Sequence, residues 1–441
     1  MMKLNWFSPL PPARTDIAHY TTRVLPSLAQ LAEVTLWTDQ TEWEPSIEQL
    51  AEVRTFDLNH VPWVELNRAD VNFYQIGNNP LFHSSIWQTS RLHAGVVVLH
   101  DQRLHHFFDD FFRVQRHDLG SYLTVMERYY GAAGRHDAAD SFHNHAHKID
   151  YMAEQYPLTE FAVENQLAVI VHTPEAYTCL SAVLDCPVAL APLPFTAGTR
   201  TPVTRPVGPP YQLIVFGYIG KSRRLNSVLA ALASLPDKEK FQLDVYGDLL
   251  DGTEEVNAEI LKLGLQDRAT LHGFATETQL DQALAQSHLA LNLRFPTMGE
   301  ASGSQLRIWS HALPSLVSEV GWYATLPHEA VAFVRPGEHE ISDIRSHLES
   351  FLSDPSAFIK MGERGRVLLE TEHAPQHYAE TLIAVAKLAQ EFRTRVCANR
   401  LADRVGSAVK GWSTPSQFEE ANSDIAGRIF ELLATTEQDS I

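Results

Sequence analysis

Cysteine is scarce: the 441-residue chain has three, Cys179, Cys186 and Cys397. They follow no metal-binding or disulfide spacing, and an odd, sparse set suits a reducing compartment. Long apolar runs are missing as well. None approaches the roughly 18 residues of a membrane span, and the N-terminal MMKLNWFSPLPP lacks the extended apolar core of a secretory signal. Basic residues are outnumbered, 35 Lys and Arg against 54 Asp and Glu, for a net charge of −19. That balance argues against a nucleic-acid partner, which needs a basic face, but leaves room for a local basic pocket around a phosphorylated small molecule. There is no internal repeat and no low-complexity tract. With 44% hydrophobic residues, the expectation is a soluble, cytoplasmic protein of two or three domains.

What is present is alternation. Short apolar runs at 3–7, 34–38, 71–76, 95–100 and 167–172 are separated by helical stretches, the pattern of βα units around a parallel sheet. A second series runs through 213–216, 243–246, 270–272, 289–293, 316–318 and 332–334. Between the two series, PLPFTAGTRTPVTRPVGPP (192–210) has no periodicity and reads as a semi-rigid linker. The fold class expected is therefore α/β, with two Rossmann-like parallel-sheet domains facing a cleft. The domains are 1–200 and 201–385, followed by a helical C-terminal extension over 386–441. Ligands in such sheets bind beyond the carboxyl ends of the strands, so the cleft is the expected site.

Several stretches carry chemistry. RFPTMGEASGSQLRIWSHALP places one carboxylate, Glu300, ahead of the small residues Ala301, Ser302, Gly303 and Ser304, which open a helix. A helix start offers unsatisfied N–H donors and partial positive charge, so its guest is an anion. IVFGYIGKSRRLNSVLAAL sets Lys221 and Arg223 in a glycine-flanked turn between strand and helix, where a diphosphate would be neutralised. GVVVLHDQRLHHFF puts His100 and Asp101 at the end of a strongly β run. SPLPPARTDIAHY is a strand-to-helix loop with Asp16 at the helix start, where it also serves as an N-cap. The histidines of HNHAH (His143, His145, His147) share a face only on a strand, whereas their flanks read as helix or loop, so no metal site is expected. His105, His106, Asp109 and Asp110 fall on a helix beside the cleft.

Taken in order, SPLPPARTDIAHY, YQIGNNP, GVVVLHDQRLHH, FGYIGKSRRL, LHGFATETQLDQALAQSHLALNLRFPTMGEASG and SLVSEVGWYATLP resemble the retaining glycosyltransferases of family 4, whose fold is GT-B. The resemblance extends to roughly residue 385. It implies that Glu300 contacts the donor sugar, that Arg223 and Lys221 hold the donor diphosphate, and that His100 lies near the transferred sugar. No metal or other cofactor is implied. The sequence departs from the family at three places. Ile308 stands where a second glutamate would bind ribose, with Arg307 as the neighbouring candidate. Asp16 stands where a glycine would admit the donor phosphates, and is a donor or acceptor contact along with Asp101. The helical extension has no counterpart, which suits an oligomerisation or docking element.

The function expected is transfer of a sugar, with retention, from a nucleotide diphosphate sugar to a hydroxyl acceptor in glycan or cell-envelope polysaccharide synthesis. The acceptor would be a glycan, a lipid-linked or a small hydroxyl compound, with peripheral membrane contact and a homo-oligomer through the C-terminal helices as further expectations. The alternatives are a non-catalytic nucleotide-sugar or glycan-binding scaffold on the same fold, or a GT-B epimerase.

Overall fold

The computed structural model describes residues 1–144, 147–198, 205–250 and 252–409, with isolated positions 424, 427, 428 and 431 beyond them. By its contacts the chain divides into two compact units, Met1–Ala191 together with the chain from Gln376 onward, and Pro192–Pro375.

The first unit is built on a seven-stranded parallel sheet in the order β3-β2-β1-β4-β5-β6-β7. Its strands are β1 (Met2–Phe7), β2 (Ala32–Thr38), β3 (Glu52–Thr55), β4 (Val71–Ile76), β5 (Val96–Leu99), β6 (Ala168–Val171) and β7 (Val188–Leu190). Helices cover both faces of such a sheet, so the central strands are apolar throughout, and every residue of β4, β5 and β6 is buried. The expected runs at 34–38, 71–76 and 167–172 fall on β2, β4 and β6. β3 and β7, at the two edges, were not expected; neither contains a fully buried residue, so neither shows an apolar run. The helices used below are α1 (Asp16–Leu28) and α2 (Pro80–Leu92).

The second unit has six parallel strands in the order β10-β9-β8-β11-β12-β13. They are β8 (Tyr211–Phe216), β9 (Phe241–Tyr246), β10 (Ala269–Gly273), β11 (Leu289–Asn292), β12 (Ser315–Ser318) and β13 (Ala332–Val334). Around them lie α3 (Leu225–Ala233), α4 (Thr253–Lys262), α5 (Glu277–Gln286), α6 (Gly303–Ser310), α7 (Glu340–Ser353) and α8 (Pro355–Glu372). In both sheets the strand order reverses beside the first strand of the unit, between β1 and β4 and between β8 and β11, which opens a crevice at the carboxyl edge.

The proline-rich stretch is not a loose tether. Its residues 199–204 lie outside the described residues, but the parts on either side are fixed to the second unit. Phe195 N–H donates to the His373 carbonyl, Arg366 donates to Gly198, and Arg205 donates to the His311 carbonyl. The last long helix, α9 (Pro375–Val409), begins ahead of the extension expected from 386 and packs within the first unit. Tyr378, Leu382, Val385 and Ala389 form its buried stripe, at the three- and four-residue steps of one helix face, and Val396 continues it two turns on. From 410 on, the expected extension falls almost entirely outside the described residues. No helix among the described residues is long and apolar enough to cross a membrane.

Two glycines let α8 lie directly against α6. A Cβ at Gly365 would sit 2.1 Å from Cδ1 of Trp309, and one at Gly362 would sit 2.3 Å from the Ala312 carbonyl oxygen. Neither the buried indole nor the backbone can give way cheaply. Gly365→Ala should therefore destabilise the protein by about 1–3 kcal/mol through overpacking, outweighing the ~1 kcal/mol alanine adds in helix propensity. The measurement is the denaturant midpoint, and an unchanged midpoint would show that α8 can move away at no cost.

Candidate functional site

In the second unit the site starts where β8 ends. Gly217 takes φ +108, a left-handed conformation, and its N–H donates to the Tyr246 carbonyl. After Gly220 a single 3₁₀ turn, Lys221–Arg223, leads to Arg224, itself left-handed at φ 57. Arg224 Nε donates to both carboxylate oxygens of Glu340, at 2.9 and 3.0 Å, and Glu340 is buried. Removing Arg224 would strand the buried Glu340 carboxylate, so this pair fixes the turn.

Fixing the turn aims Arg223 inward. The residue is 7% exposed; Nη1 donates to Asn292 Oδ1 at 2.8 Å and Nη2 to Ser304 Oγ at 3.3 Å. A Cβ at Gly217 would come within 3.1 Å of Nη2, so the glycine provides the space the guanidinium occupies. From Asn292 the hydrogen bonds continue, Asn292 Nδ2 to Gln305 Oε1 at 2.9 Å and Gln305 Nε2 to Ser315 Oγ at 2.8 Å. One chain of polar contacts thus joins the β8 turn, the end of β11, α6 and the start of β12.

Ser302 caps α6, its Oγ accepting from Gln305 N–H at 3.1 Å. The N–H groups of Gly303 and Ser304 are first-turn donors with no intrahelical acceptor. Nothing lies within 4 Å of a Cβ built on Gly303, so the approach to these donors is open. Ser304 thus meets Arg223, with Ser302 and Gly303 just before it at the helix start.

Glu300 is not the lone carboxylate the sequence suggests. Its Oε1 lies 3.0 Å from Arg294 Nε, and its Oε2 accepts from Thr297 Oγ1 at 2.8 Å and from Met298 N–H at 2.7 Å. Arg294 Nη1 reaches Ser222 Oγ at 3.4 Å, and Phe295 N–H donates to the Ser222 carbonyl at 2.8 Å. Glu300 is held in place against the same turn that carries Arg223. Arg294, Asn292 and Gln305 are site residues that sequence reasoning missed. Arg294 had a signal, a cation immediately after an apolar strand; the two amides had none.

Other candidates are placed elsewhere. Lys221 is exposed and lines a groove of about 480 Å³ shared with Arg224, Asn226, Glu255 and Glu259, between the β8 turn and α4, whose lining does not include Arg223. Arg307 faces away from the α6 start and pairs with Glu277 and Asp281 of α5, both at 2.8 Å. Its role is to hold α5 and α6 together. Ile308 is fully buried with Ile214, Phe216 and Leu284, so that position carries no polar contact.

The first unit brings its histidines together at the carboxyl edge of β4, β5 and β6. His100 Nε2 donates to Gln75 Oε1 at 3.0 Å, and its ring packs edge-on against Tyr20 at 4.7 Å and beside His172 at 5.0 Å. Tyr20 and Tyr378 share a 2.7 Å hydrogen bond between hydroxyls. Burial, reinforced by His172 and His83, holds the His100 imidazole well below its ordinary pKa. His100 is therefore neutral and acts as a hydrogen-bonding group. Asp101 Oδ2 accepts from Asn78 N–H at 2.7 Å, tying the β5 loop to the β4 loop. Asp16 is exposed and is the first residue of α1; the N-cap is Thr15, whose Oγ1 accepts from Ile17 N–H. Of the HNHAH histidines, His145 and the side chain of His143 lie outside the described residues. Among the described residues no group of three or more His, Cys, Asp or Glu is arranged to hold a metal ion.

With this geometry the chain can be compared with known proteins. No protein-family model matches it, and no curated protein matches it in sequence. Solved structures do match. Sucrose-phosphate synthase from Thermosynechococcus elongatus superposes with TM-score 0.58 at 15% identity, over 88% of this chain and 98% of that one. Anabaena HepE, solved with UDP and glucose, matches at 0.55 and 13% identity, over 88% and 100%. A glycosyltransferase from Rickettsia africae matches at 0.55 and 12%, over 88% and 98%. The fold is GT-B. At these identities the likeness establishes the architecture, and the chemistry has to be argued from the residues.

The buried histidines make a pH prediction. His83 and His105 are each pushed down to about 4 by burial, and His100 is lowered too. In the unfolded chain a histidine titrates near 6.5. As pH falls below about 6.5 the unfolded state takes up protons first, so stability is present above that pH and is lost towards about 4. Melting temperature should fall across this window, and His83→Gln should make the fall shallower. Melts between pH 5 and 7 with equal slopes for both proteins would remove His83 from the account.

Proposed function

We propose that this protein is a glycosyltransferase of the family 4 type, transferring a sugar with retention from a nucleotide diphosphate sugar to a hydroxyl acceptor. One observation carries the reading. A buried arginine, two open helix N–H groups and a clamped carboxylate are held at the carboxyl edge of the second unit, by Asn292, Ser304, Arg294 and Thr297. Arg223 and the Gly303 and Ser304 amides suit a diphosphate, whose charge rises as it leaves. Glu300, with one oxygen held by Arg294 and the other by Thr297 and Met298, suits the hydroxyls of a sugar attached to that diphosphate. That HepE was solved with UDP and glucose supports a donor of this class.

In the reaction the bond from the sugar C1 to the diphosphate oxygen breaks, and a bond from C1 to the acceptor oxygen forms on the same face. The acceptor proton passes to the departing diphosphate. His100, neutral and hydrogen-bonded through Nε2, is the residue of the first unit assigned to orienting a sugar hydroxyl. We place the activity in the cytoplasm and in glycan or cell-envelope synthesis, with a glycan, lipid-linked or small hydroxyl acceptor and no metal. A thermal-shift screen of nucleotide sugars tests the reading directly, because a ligand of the native state raises the melting temperature. Failure of every nucleoside diphosphate to do so would overturn it.

A charge-assisted contact is worth about 1.5–3 kcal/mol, so Arg223→Ala should weaken nucleoside diphosphate binding roughly 10- to 150-fold by calorimetry. Arg223→Lys should recover part of this, since lysine cannot span Asn292 and Ser304 and still face a phosphate. Undiminished affinity in Arg223→Ala would make the guanidinium a structural strut. Glu300→Gln should keep nucleotide binding and lose about 100-fold or more in turnover. Near wild-type turnover would confine Glu300 to bracing its own loop.

A further inference from the structure

At the opposite edge of the first unit lies a second concentration of cations. A cavity of about 300 Å³ opens at the amino ends of β4, β5 and β6, lined among others by Asn67, His93, Arg393, Cys397, Arg400 and Arg404. Positions 393, 397, 400 and 404 follow one another at four, three and four residues, so α9 presents them as a single stripe. In a chain of net charge −19, a cavity walled by arginines is unexpected.

Among the described residues none of Arg393, Arg400 and Arg404 has an acidic group within 4 Å. Carboxylates of the surrounding elements are engaged with other groups. Glu164 pairs with Arg91 and Arg128, Asp70 accepts from Lys3 N–H, and Asp403 accepts from Asn165. Arg393 and Arg400 each donate to a backbone carbonyl, of Asp70 and Arg91 respectively, which fixes their direction without adding a negative charge beside them. Arg404 is exposed and makes no hydrogen bond or ion pair with the described residues. His93 is oriented with them, its Nδ1 accepting from Asn72 and its Nε2 donating to Asn67 at 2.9 Å. Burial lowers its pKa, and Arg400 and Arg393 lower it further, as expected beside unbalanced positive charge. Bringing these like charges together is unfavourable unless an anion joins them.

We propose that this cavity is an anion site for a phosphate group, with Arg404, Arg400 and Arg393 as its cations. Guanidinium groups match the oxygens of phosphate in pairs, and the space holds a phosphoryl group with part of what it is attached to. The site is separate from the donor position, being at the amino ends of the strands in the other unit. Its phosphate comes either free in solution or as an anionic lipid headgroup.

The experiment uses the full chain in the Arg223→Ala background, which silences the proposed donor site. Inorganic phosphate is titrated by calorimetry, and vesicles of phosphatidylglycerol are compared with phosphatidylcholine by flotation. Saturable binding of either probe, weakened about tenfold or more by Arg404→Glu, is the expected result. Phosphate binding identifies a soluble ligand, while selective flotation with phosphatidylglycerol alone identifies a lipid headgroup. Arg404→Gln, a milder change at an exposed residue with no partner among the described residues, repeats the measurement if Arg404→Glu does not fold. The proposal is overturned if neither probe binds, or if both bind equally well to the Arg404 variants.

Discussion

An arginine side chain buried under a turn has to be held from several directions, and in the second unit that requirement organises everything near the site. Arg223 can occupy its position because Gly217 has no side chain, because Arg224 and Glu340 fix the turn behind it, and because Asn292 and Ser304 meet it in front. Asn292 is held in turn by Gln305 and Gln305 by Ser315, so loosening any member loosens the aim of the guanidinium. In a low-dielectric setting such a chain is worth more than its bonds taken singly, and a missing partner costs more. The start of α6, with its open amides, belongs to the same assembly through Ser304.

The first unit solves a different problem at its own carboxyl edge. There His100 is buried against aromatic rings with an amide partner, and burial keeps its imidazole neutral. A neutral imidazole donates from one nitrogen and accepts at the other, which suits the orientation of hydroxyl groups. At the carboxyl edges, Arg223 and Glu300 carry charge in the second unit, and His100 is a neutral hydrogen-bonding group in the first. That division matches a reaction in which one substrate carries the leaving charge and the other is an alcohol.

Most of this was legible in the sequence wherever burial on both faces writes a continuous apolar run. β4, β5 and β6 announce themselves in this way, and so does the turn from β8 into α3, with its two glycines and adjacent cations. β3 and β7 do not, since edge strands are only half covered. Among the site residues, Arg223, Ser302 and Gly303 were readable because a glycine turn and a helix start have local signatures. The Arg294–Glu300 pair was not. A carboxylate's partner is fixed by how a loop folds back, which spacing does not encode. Lys221 and Arg307 fail for a related reason: position near a motif does not determine which face a long side chain takes, and both face other helices.

The return of α9 to the first unit has a consequence for biosynthesis. The second unit is one uninterrupted stretch of chain, while the first is made of two pieces separated by it. Tyr20 meets the hydroxyl of Tyr378, 358 positions further along the chain. During synthesis, therefore, the second unit can close its core as soon as its own residues have emerged, because domains fold as units. The first must wait with its α9-facing surface uncovered until the chain past Tyr378 is available. The order of folding is thus the reverse of the order of translation, and the histidine cluster beside Tyr20 is among the last parts of the molecule to be sealed.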